Sequence, residues 1–484
     1  MRLMADENGI FWKYANIAVL IAANVLFFIL AIHENFWYDE AYTVGMIFRD
    51  FKDILEITSN DVHTPFYYFV LKLFYHTIGC EQLISIKIFS WMFLFAYFVF
   101  GGWICRKYYS RKVEFFWLIF SGFMPVMVIQ STTARMYTFG LFWVTVASYL
   151  AYSLYREEKR SKWIIFVLTT VISIYIHTFS MLEMVVVYIL FMIAVIRKKR
   201  YKTLRNIFIS GIIVSCSYIP WLLVLWRQFS RWAGWESGWS NTIAPFGLSS
   251  VNYYLAEWFS SLESPQPIVI WLGIAIFLYA GFYAVKYIHE TKDYLPCLSL
   301  IVAGIVLVMA IMVSVLIVPC FLGRYLFPVF GGIWLFLAIG VNRIKHSWQQ
   351  WILVIAVILC GIGAFKEEWK LEDETGLNSY REFIDNEWSE QDVIMADTYI
   401  LMMMSIYHPE AEYMVYGHEP SCLPFDNCKA FKRWEQLEDV ETVWYLSVNN
   451  FRAGNLDEKY VSVEKRQFEF SYYTIILEKY VKKD

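Results

Sequence analysis

The chain has 484 residues, of which 58% are hydrophobic, 20% aromatic and only 18% charged, with a formal net charge of -3. Soluble domains average about 25% charged residues, so this composition excludes an ordinary soluble enzyme. The net charge alone excludes no class of partner, because the basic residues are clustered. Nothing in the sequence indicates a nucleic-acid partner.

Long apolar runs recur from Tyr14 to Phe365, and each is near the ~20 residues needed to cross a bilayer. The first run lacks the small-residue cleavage site of a signal peptide, so we expect it to remain as the first helix. We predict a polytopic α-helical membrane protein with about 11 transmembrane helices. These are Tyr14–Ile32, Gln82–Ile104, Val113–Gln130, Met136–Tyr155, Lys162–His177, Met181–Ile196, Asn206–Trp226, Ile268–Ile288, Pro296–Val318, Tyr325–Val341 and Gln350–Phe365.

A further apolar segment, PFYYFVLKLFYHTIG, covers Pro65–Gly79. As a helix it would extend only about 22 Å, against a hydrocarbon core of about 30 Å. Thr64 as the cap and Pro65 at the first helical position favour a helix start. We therefore predict a helix in the membrane interface rather than a span.

The basic residues are distributed asymmetrically between the connections. RKYYSRK, YREEKRSK and RKKRYKTLR are rich in Lys and Arg, whereas the alternate connections hold only Arg135, Arg227, Arg231 and Arg324. Short basic loops stay in the cytoplasm. This predicts a plasma-membrane protein with a cytoplasmic N-terminus, in which the first loop and the C-terminal region are extracytoplasmic.

The C-terminal region has the composition of a soluble domain, so we predict a membrane domain at 1–365 and an outer α/β domain at 366–484. DVIMAD, ETVWYLSV and YYTIILEKY are typical of β-strands, and SYREFIDNEW is typical of an amphipathic helix. Cys422 and Cys428 are compatible with a disulfide if this region faces an oxidising compartment. The sequence leaves that pairing open.

The predicted topology places several unusual polar residues at the outer surface. They are Asp39, Glu40, Asp61 and His63 in the first loop, Gln130, Arg135 and Tyr137 around the third and fourth spans, Tyr175, His177 and Glu183 around the fifth and sixth, and Arg324 and Tyr325 at the tenth. Taken singly, an acid in an outer loop is usually solvated, and an Arg at the end of a span usually reaches the headgroups. The combination is more informative, because ionisable groups near hydrocarbon are costly and usually face partners or a polar cavity.

The residue types suggest the joining of an anionic lipid to a hydroxyl acceptor. Arginines offer fixed, bidentate donors that could hold a lipid phosphate. A carboxylate could take the proton of the acceptor as a general base, and a second could orient the acceptor or a metal. We expect the acids and the arginines to share one pocket.

Five motifs in this order resemble the GT-C glycosyltransferases that use polyprenyl-phosphate sugars, in the branch with protein O-mannosyltransferases and lipid A aminoarabinose transferases. They are WYDEAY, DVHTPFYYFVLKLF, IQSTTARMYTFGL, YIHTFSML and GRYLFP. The sequence departs from the family at Thr64-Pro65, where Pro-Pro is usual, and at Lys87, where Arg is common. The second change replaces a forked donor with a point charge.

The resemblance implies a role for each matched residue. The catalytic acidic residue would be Asp39 with its neighbour Glu40, and we add Asp61 to this acidic set. His63 would lie next to the donor phosphate. The residues expected to contact phosphate or substrate are Arg135, Tyr137, His177, Arg324 and Tyr325.

No cofactor is firmly implied, although Asp39, Glu40 and Asp61 could bind a divalent cation through oxygen. The tryptophans of RWAGWESGWS could stack on sugars, but an interfacial aromatic belt explains them better. The predicted function is inverting transfer of a sugar from a polyprenyl-phosphate carrier, a membrane lipid, to an extracytoplasmic acceptor. The alternative is a transporter or flippase of a lipid-linked glycan, which needs polar groups through the bilayer rather than at one surface.

Overall fold

The computed structural model describes residues 9–79, 81–233, 246–261, 264–389, 392–396, 398–409, 411–416, 427–431, 440–448, 456–470 and 473–483. The chain forms two compact units. The first consists of Met1–Ala31, Val62–Tyr67 and Ile88–Glu367, and the second of Ile32–Asp61, Tyr68–Lys87 and Glu368–Asp484. The predicted domain division at 365/366 stays a prediction.

Most described residues are helical. The helices are α1 (Gly9–Ala31), α2 (Tyr38–Phe48), α3 (Phe51–Asn60), α4 (Phe66–Thr77), α5 (Ile84–Tyr108), α6 (Arg111–Phe123), α7 (Pro125–Ser131), α8 (Tyr137–Arg156), α9 (Arg160–Ile174), α10 (Thr178–Arg197), α11 (Tyr201–Ala233), α12 (Leu248–Phe259), α13 (Pro267–Thr291), α14 (Leu295–Leu316), α15 (Phe330–Arg343), α16 (Ser347–Leu371), α17 (Thr375–Asn386), α18 (Thr398–Ser405) and α19 (Leu456–Lys459). A 3₁₀ helix, Gly323–Val329, precedes α15.

Eight helices in the described part of the chain are long and apolar enough to cross a membrane, and the bent pair of α6 and α7 brings the number to nine. The remaining two predicted spans correspond to α8 and α9. The protein is therefore a multi-pass membrane protein, as predicted. The count of eleven spans stays a prediction.

The predicted span Val113–Gln130 differs from the structure, because it is broken into α6 and α7 with a bend of 60°. Met124, between them, is extended and is followed by Pro125 at the start of α7. Proline disfavours the helical conformation of the residue before it. The predicted short helix Pro65–Gly79 is present as α4, a helix of 12 residues.

Small residues let the helices of the first unit approach closely. A Cβ on Gly340 of α15 would overlap the carbonyl of Ala280 in α13, and Ala284 lies beside it. Small side chains at such crossings are typical of helix packing in membranes, where van der Waals contact replaces the hydrophobic effect. This packing buries nearly all of α15.

Among its described residues, the second unit contains a six-stranded sheet in the order β3-β2-β1-β4-β6-β5. Its strands are β1 (Val393–Ala396), β2 (Tyr413–Tyr416), β3 (Cys428–Phe431), β4 (Thr442–Val448), β5 (Tyr460–Phe470) and β6 (Tyr473–Lys482). The first four strands pair in parallel, and β6 pairs antiparallel with β4 and β5. With α17 and α18 beside the strands in sequence, the small α/β region is confirmed.

Two sequence predictions fall on residues outside this description. Cys422, the proposed disulfide partner of Cys428, lies outside the described residues, as do Trp235 and Trp239. Cys428 itself begins β3 and is buried.

Candidate active-site residues

The predicted acidic residues begin α2. Asp39 and Glu40 lie in its first turn, where acidic side chains are favoured by the helix dipole, and they are 8% and 2% exposed. The Glu40 carboxylate accepts a hydrogen bond from the backbone N–H of Trp37 at 3.2 Å. Glu40 thus satisfies a backbone donor that the start of the helix would otherwise leave without a partner.

Lys87 neutralises this acidic region from within the second unit. Its Nζ lies 2.6 Å from both carboxylate oxygens of Glu372, 2.9 Å from the carbonyl oxygen of Asn35 and 3.9 Å from Oε2 of Glu40. The Lys87 side chain is fully buried. Glu40 therefore has a structural task, capping α2 and facing Lys87, and its predicted catalytic role stays a prediction.

The backbone preceding Asp39 is held by the C-terminal part of the chain. The Tyr407 hydroxyl donates to the carbonyl of Glu34 at 2.6 Å and accepts from the N–H of Phe36 at 2.9 Å. Burial raises the pKa of Tyr407 well above its ordinary value, so the hydroxyl keeps its proton. Asn35 also donates to the carbonyls of Leu371 and Asp373, at 3.0 and 2.9 Å.

Asp61, the third predicted acid, follows α3 as its C-cap. It accepts a hydrogen bond from the Tyr42 hydroxyl at 2.9 Å, so it ties the end of α3 to α2. Like Asp39 and Glu40 it belongs to the second unit.

The predicted basic residues come together in the first unit. Nη2 of Arg135 lies 2.7 Å from Nε2 of His63. A guanidinium can only donate, so Nε2 of His63 is the acceptor. Arg135 is 4% exposed, and it lies in the turn between α7 and α8.

A second histidine, His177, lies near the pair formed by His63 and Arg135. It caps α10 by accepting from the N–H of Phe179 at Nδ1, and its ring lies 4.9 Å from that of Tyr325. Its turn is joined to the His63 segment, because the Thr64 hydroxyl donates to the carbonyl of Ile176 at 2.9 Å. His63, Arg135 and Arg324 all lie close enough to interact electrostatically with the His177 ring.

Arg324 and Tyr325 lie in the 3₁₀ helix before α15, with Arg324 only 9% exposed. Tyr137, which begins α8, packs edge-on against Phe327 of the same 3₁₀ helix at 6.4 Å. The structure therefore gathers four predicted residues around a fifth, His177, and we call the five the basic group: His63, Arg135, His177, Arg324 and Tyr325. Tyr137 packs beside the 3₁₀ helix that carries two of them.

Sequence reasoning missed one residue beside the basic group. Glu257 of α12 is fully buried, and its charge acts on Arg324. Burial raises the pKa of Glu257 to about 7, while Arg324 and the backbone N–H groups of Arg324 and Gly323 oppose that rise. An acid within the otherwise apolar stretch YYLAEWF was the signal, since a buried charge needs a partner.

Within the described ranges, no three His, Cys, Asp or Glu side chains converge as metal ligands. The acidic residues belong to the second unit and the basic group to the first. Their catalytic and binding roles stay predictions.

No protein-family model and no curated protein matches the chain. Two solved structures resemble it over almost its whole length. They are ArnT, the lipid A aminoarabinose transferase, from Cupriavidus metallidurans, in the apo state and bound to undecaprenyl phosphate. The TM-scores are 0.63 and 0.62, at 8% sequence identity, covering 96% of this chain and 97% of ArnT.

At this level of identity the likeness concerns the fold. It agrees with the many apolar helices and with the small C-terminal sheet region. The chain therefore has the GT-C fold, as its sequence motifs predict.

Proposed function

We propose that the protein is a membrane glycosyltransferase that moves a sugar from a polyprenyl-phosphate carrier to an extracytoplasmic acceptor, with inversion. The observation that supports it most is the basic group, in which the largely buried Arg135 and Arg324 lie with two histidines. Concentrated positive charge at a forked guanidinium suits a phosphate. The fold is also that of ArnT, which has been crystallised with undecaprenyl phosphate.

In this proposal the basic group binds the phosphate of the carrier. His63 orients Arg135 through their 2.7 Å contact, and Arg324 provides the second guanidinium. As the bond between the sugar and the phosphate breaks, the phosphate oxygen keeps the electron pair. Arginine donors stabilise this charge most as it develops, which is how they would lower the barrier.

Asp39 is the proposed general base. The acceptor hydroxyl oxygen forms a bond to the anomeric carbon on the side opposite the leaving phosphate, and its proton passes to the Asp39 carboxylate. A single displacement of this kind inverts the anomeric configuration. We assign this role to Asp39 rather than to Glu40, because Glu40 already caps α2 and faces Lys87.

The test is to incubate the purified protein with a panel of polyprenyl-phosphate sugars and candidate acceptors. We expect consumption of one donor and release of its carrier phosphate. Movement of labelled lipid across vesicles without a new glycosidic bond would contradict the proposal and favour transport.

A further inference from the structure

Helix α12 presents three side chains to the segment that carries Arg324. The Tyr254 hydroxyl donates to the carbonyl of Phe321 at 2.9 Å, and Nε1 of Trp258 donates to the carbonyl of Gly323 at 3.1 Å. Glu257 lies between them and faces the N–H groups of Gly323 and Arg324. The spacing of three and four residues puts these side chains on one face of the helix.

Gly323 makes this approach possible. A Cβ at that position would overlap the Glu257 carboxylate and crowd Nε1 of Trp258. Both the carbonyl and the N–H of Gly323 therefore face side chains of α12.

We propose that α12 is the positioning element for Arg324, with Glu257 and Trp258 setting the backbone of Gly323–Arg324 so that the guanidinium is placed for the donor phosphate. This inference rests on the proposed function, because it takes Arg324 to bind that phosphate. Glu257 acts through Arg324 and is a positioning residue.

The physical reason is geometric. Bidentate binding of a phosphate by arginine requires the guanidinium to lie within about 0.5 Å of its productive position. A long side chain on a loosely held turn loses rotamer freedom when it binds, and that cost weakens binding. A turn that is fixed beforehand avoids part of the cost, and the Glu257 charge also restricts where the guanidinium can lie.

The experiment measures the affinity of the purified full-length protein for undecaprenyl phosphate. Glu257→Gln keeps the size of the side chain but removes its charge, and Trp258→Phe keeps an aromatic ring but removes the N–H donor. We expect each to weaken binding about tenfold. Val251→Ala on the same helix, where the side chain is 38% exposed, serves as the matched control and should bind like the wild type.

A double-mutant cycle with Arg324→Ala separates positioning from a general loss of structure. If Glu257 acts through Arg324, then adding Glu257→Gln to Arg324→Ala costs no further affinity. Equal losses in the presence and absence of Arg324 would overturn the inference, as would unchanged affinity in both single variants. Failure of the wild-type protein to bind undecaprenyl phosphate would instead overturn the proposed function, and with it this inference.

Discussion

Nη2 of Arg135 donates to Nε2 of His63 over 2.7 Å, joining the residue before Thr64 to the turn between α7 and α8. Because the acceptor is a ring nitrogen, the contact adds no negative charge and leaves the positive charge of Arg135 in place. This pair therefore fixes a guanidinium without neutralising it. Such an arrangement fits a residue that binds an anion.

The first prediction concerns this pair. His63→Ala removes the acceptor and should weaken binding of undecaprenyl phosphate, because the guanidinium is no longer oriented. Arg135→Lys keeps the charge but loses the fork, so we expect a loss of about tenfold, and Arg135→Ala should lose more. Binding to the purified variants measures both effects, and equal affinity of Arg135→Lys and the wild type would contradict the assignment.

The second prediction separates the adjacent acids. Asp39→Asn removes the proposed base and should lower the rate of transfer by about 10² to 10⁴ with little change in stability. Glu40→Gln should instead lower the melting temperature, because Glu40 caps α2 and faces Lys87. Glu56→Gln, an exposed acid on α3, is the control for both measurements. Full activity in Asp39→Asn would remove Asp39 from the mechanism.

The third prediction concerns Lys87 and Glu372, whose charged atoms lie 2.6 Å apart with Lys87 fully buried. Lys87→Met leaves two acids facing each other without their counter-charge, and removing one partner of a buried pair costs about 3–5 kcal/mol. Adding Glu372→Leu should restore part of that loss. Thermal unfolding of the single and double variants tests this, and a double variant less stable than Lys87→Met would argue against the pairing.

The fourth prediction follows from the pKa of Glu257, which is about 7. The Glu257 carboxyl group faces Arg324 and the Tyr254 hydroxyl. The folded protein binds the Glu257 proton more tightly than the unfolded chain does, because the pKa of this group is near 4.5 when the chain is unfolded. The protonated group therefore contributes its full stability below pH 4.5, and that stability is lost as the pH rises through 7. The loss is on the order of 3 kcal/mol. Glu257→Gln should remove this pH dependence.

At pH 8 the same variant should be more stable than the wild type and yet bind undecaprenyl phosphate less tightly. A residue with a purely structural role would lose stability and affinity together. Melting temperatures at pH 5 and pH 8, compared between Glu257→Gln and the wild type, decide the matter. If the melting temperatures of the variant and the wild type change equally between pH 5 and pH 8, Glu257 does not titrate in this range.

The helices of the membrane region were predictable because each apolar run carries its own signal. Tyr14–Ile32 was predicted where α1 spans Gly9–Ala31, and Pro296–Val318 where α14 spans Leu295–Leu316. The break at Pro125 was missed although its signal was present, because averaging apolarity over a span hides one proline.

The C-terminal sheet was likewise predicted only in part. Strands β1, β4 and β6 were predicted from segments rich in β-branched and aromatic residues, and α17 from its amphipathic pattern. Strand β5 was missed because most of its side chains are charged or exposed, and its apolar residues do not form a run. Pairing with β6, which sequence pattern does not reveal, is what makes it a strand.

For the candidate site, the sequence supplied the residue types but not their partners. Glu372 is 285 positions from Lys87, and no local pattern reports a contact at that separation. The sequence likewise could not predict that Asp39 and Glu40 have different roles, because this depends on which carboxylate accepts the hydrogen bond from the N–H of Trp37. Glu257 was not predicted, because a single acid in an apolar stretch carries no spacing that indicates Arg324 as its partner.

The hydrogen bonds that Tyr407 and Asn35 make to residues distant in sequence have a practical consequence for chimeras of related proteins. They fasten the peptide just ahead of Asp39 to main-chain groups near the end of α16 and to a hydroxyl after α18. A chimera that imports a foreign C-terminal region would leave Glu34–Phe36 without those attachments. Successful grafts should therefore transfer that short loop together with everything that follows α16.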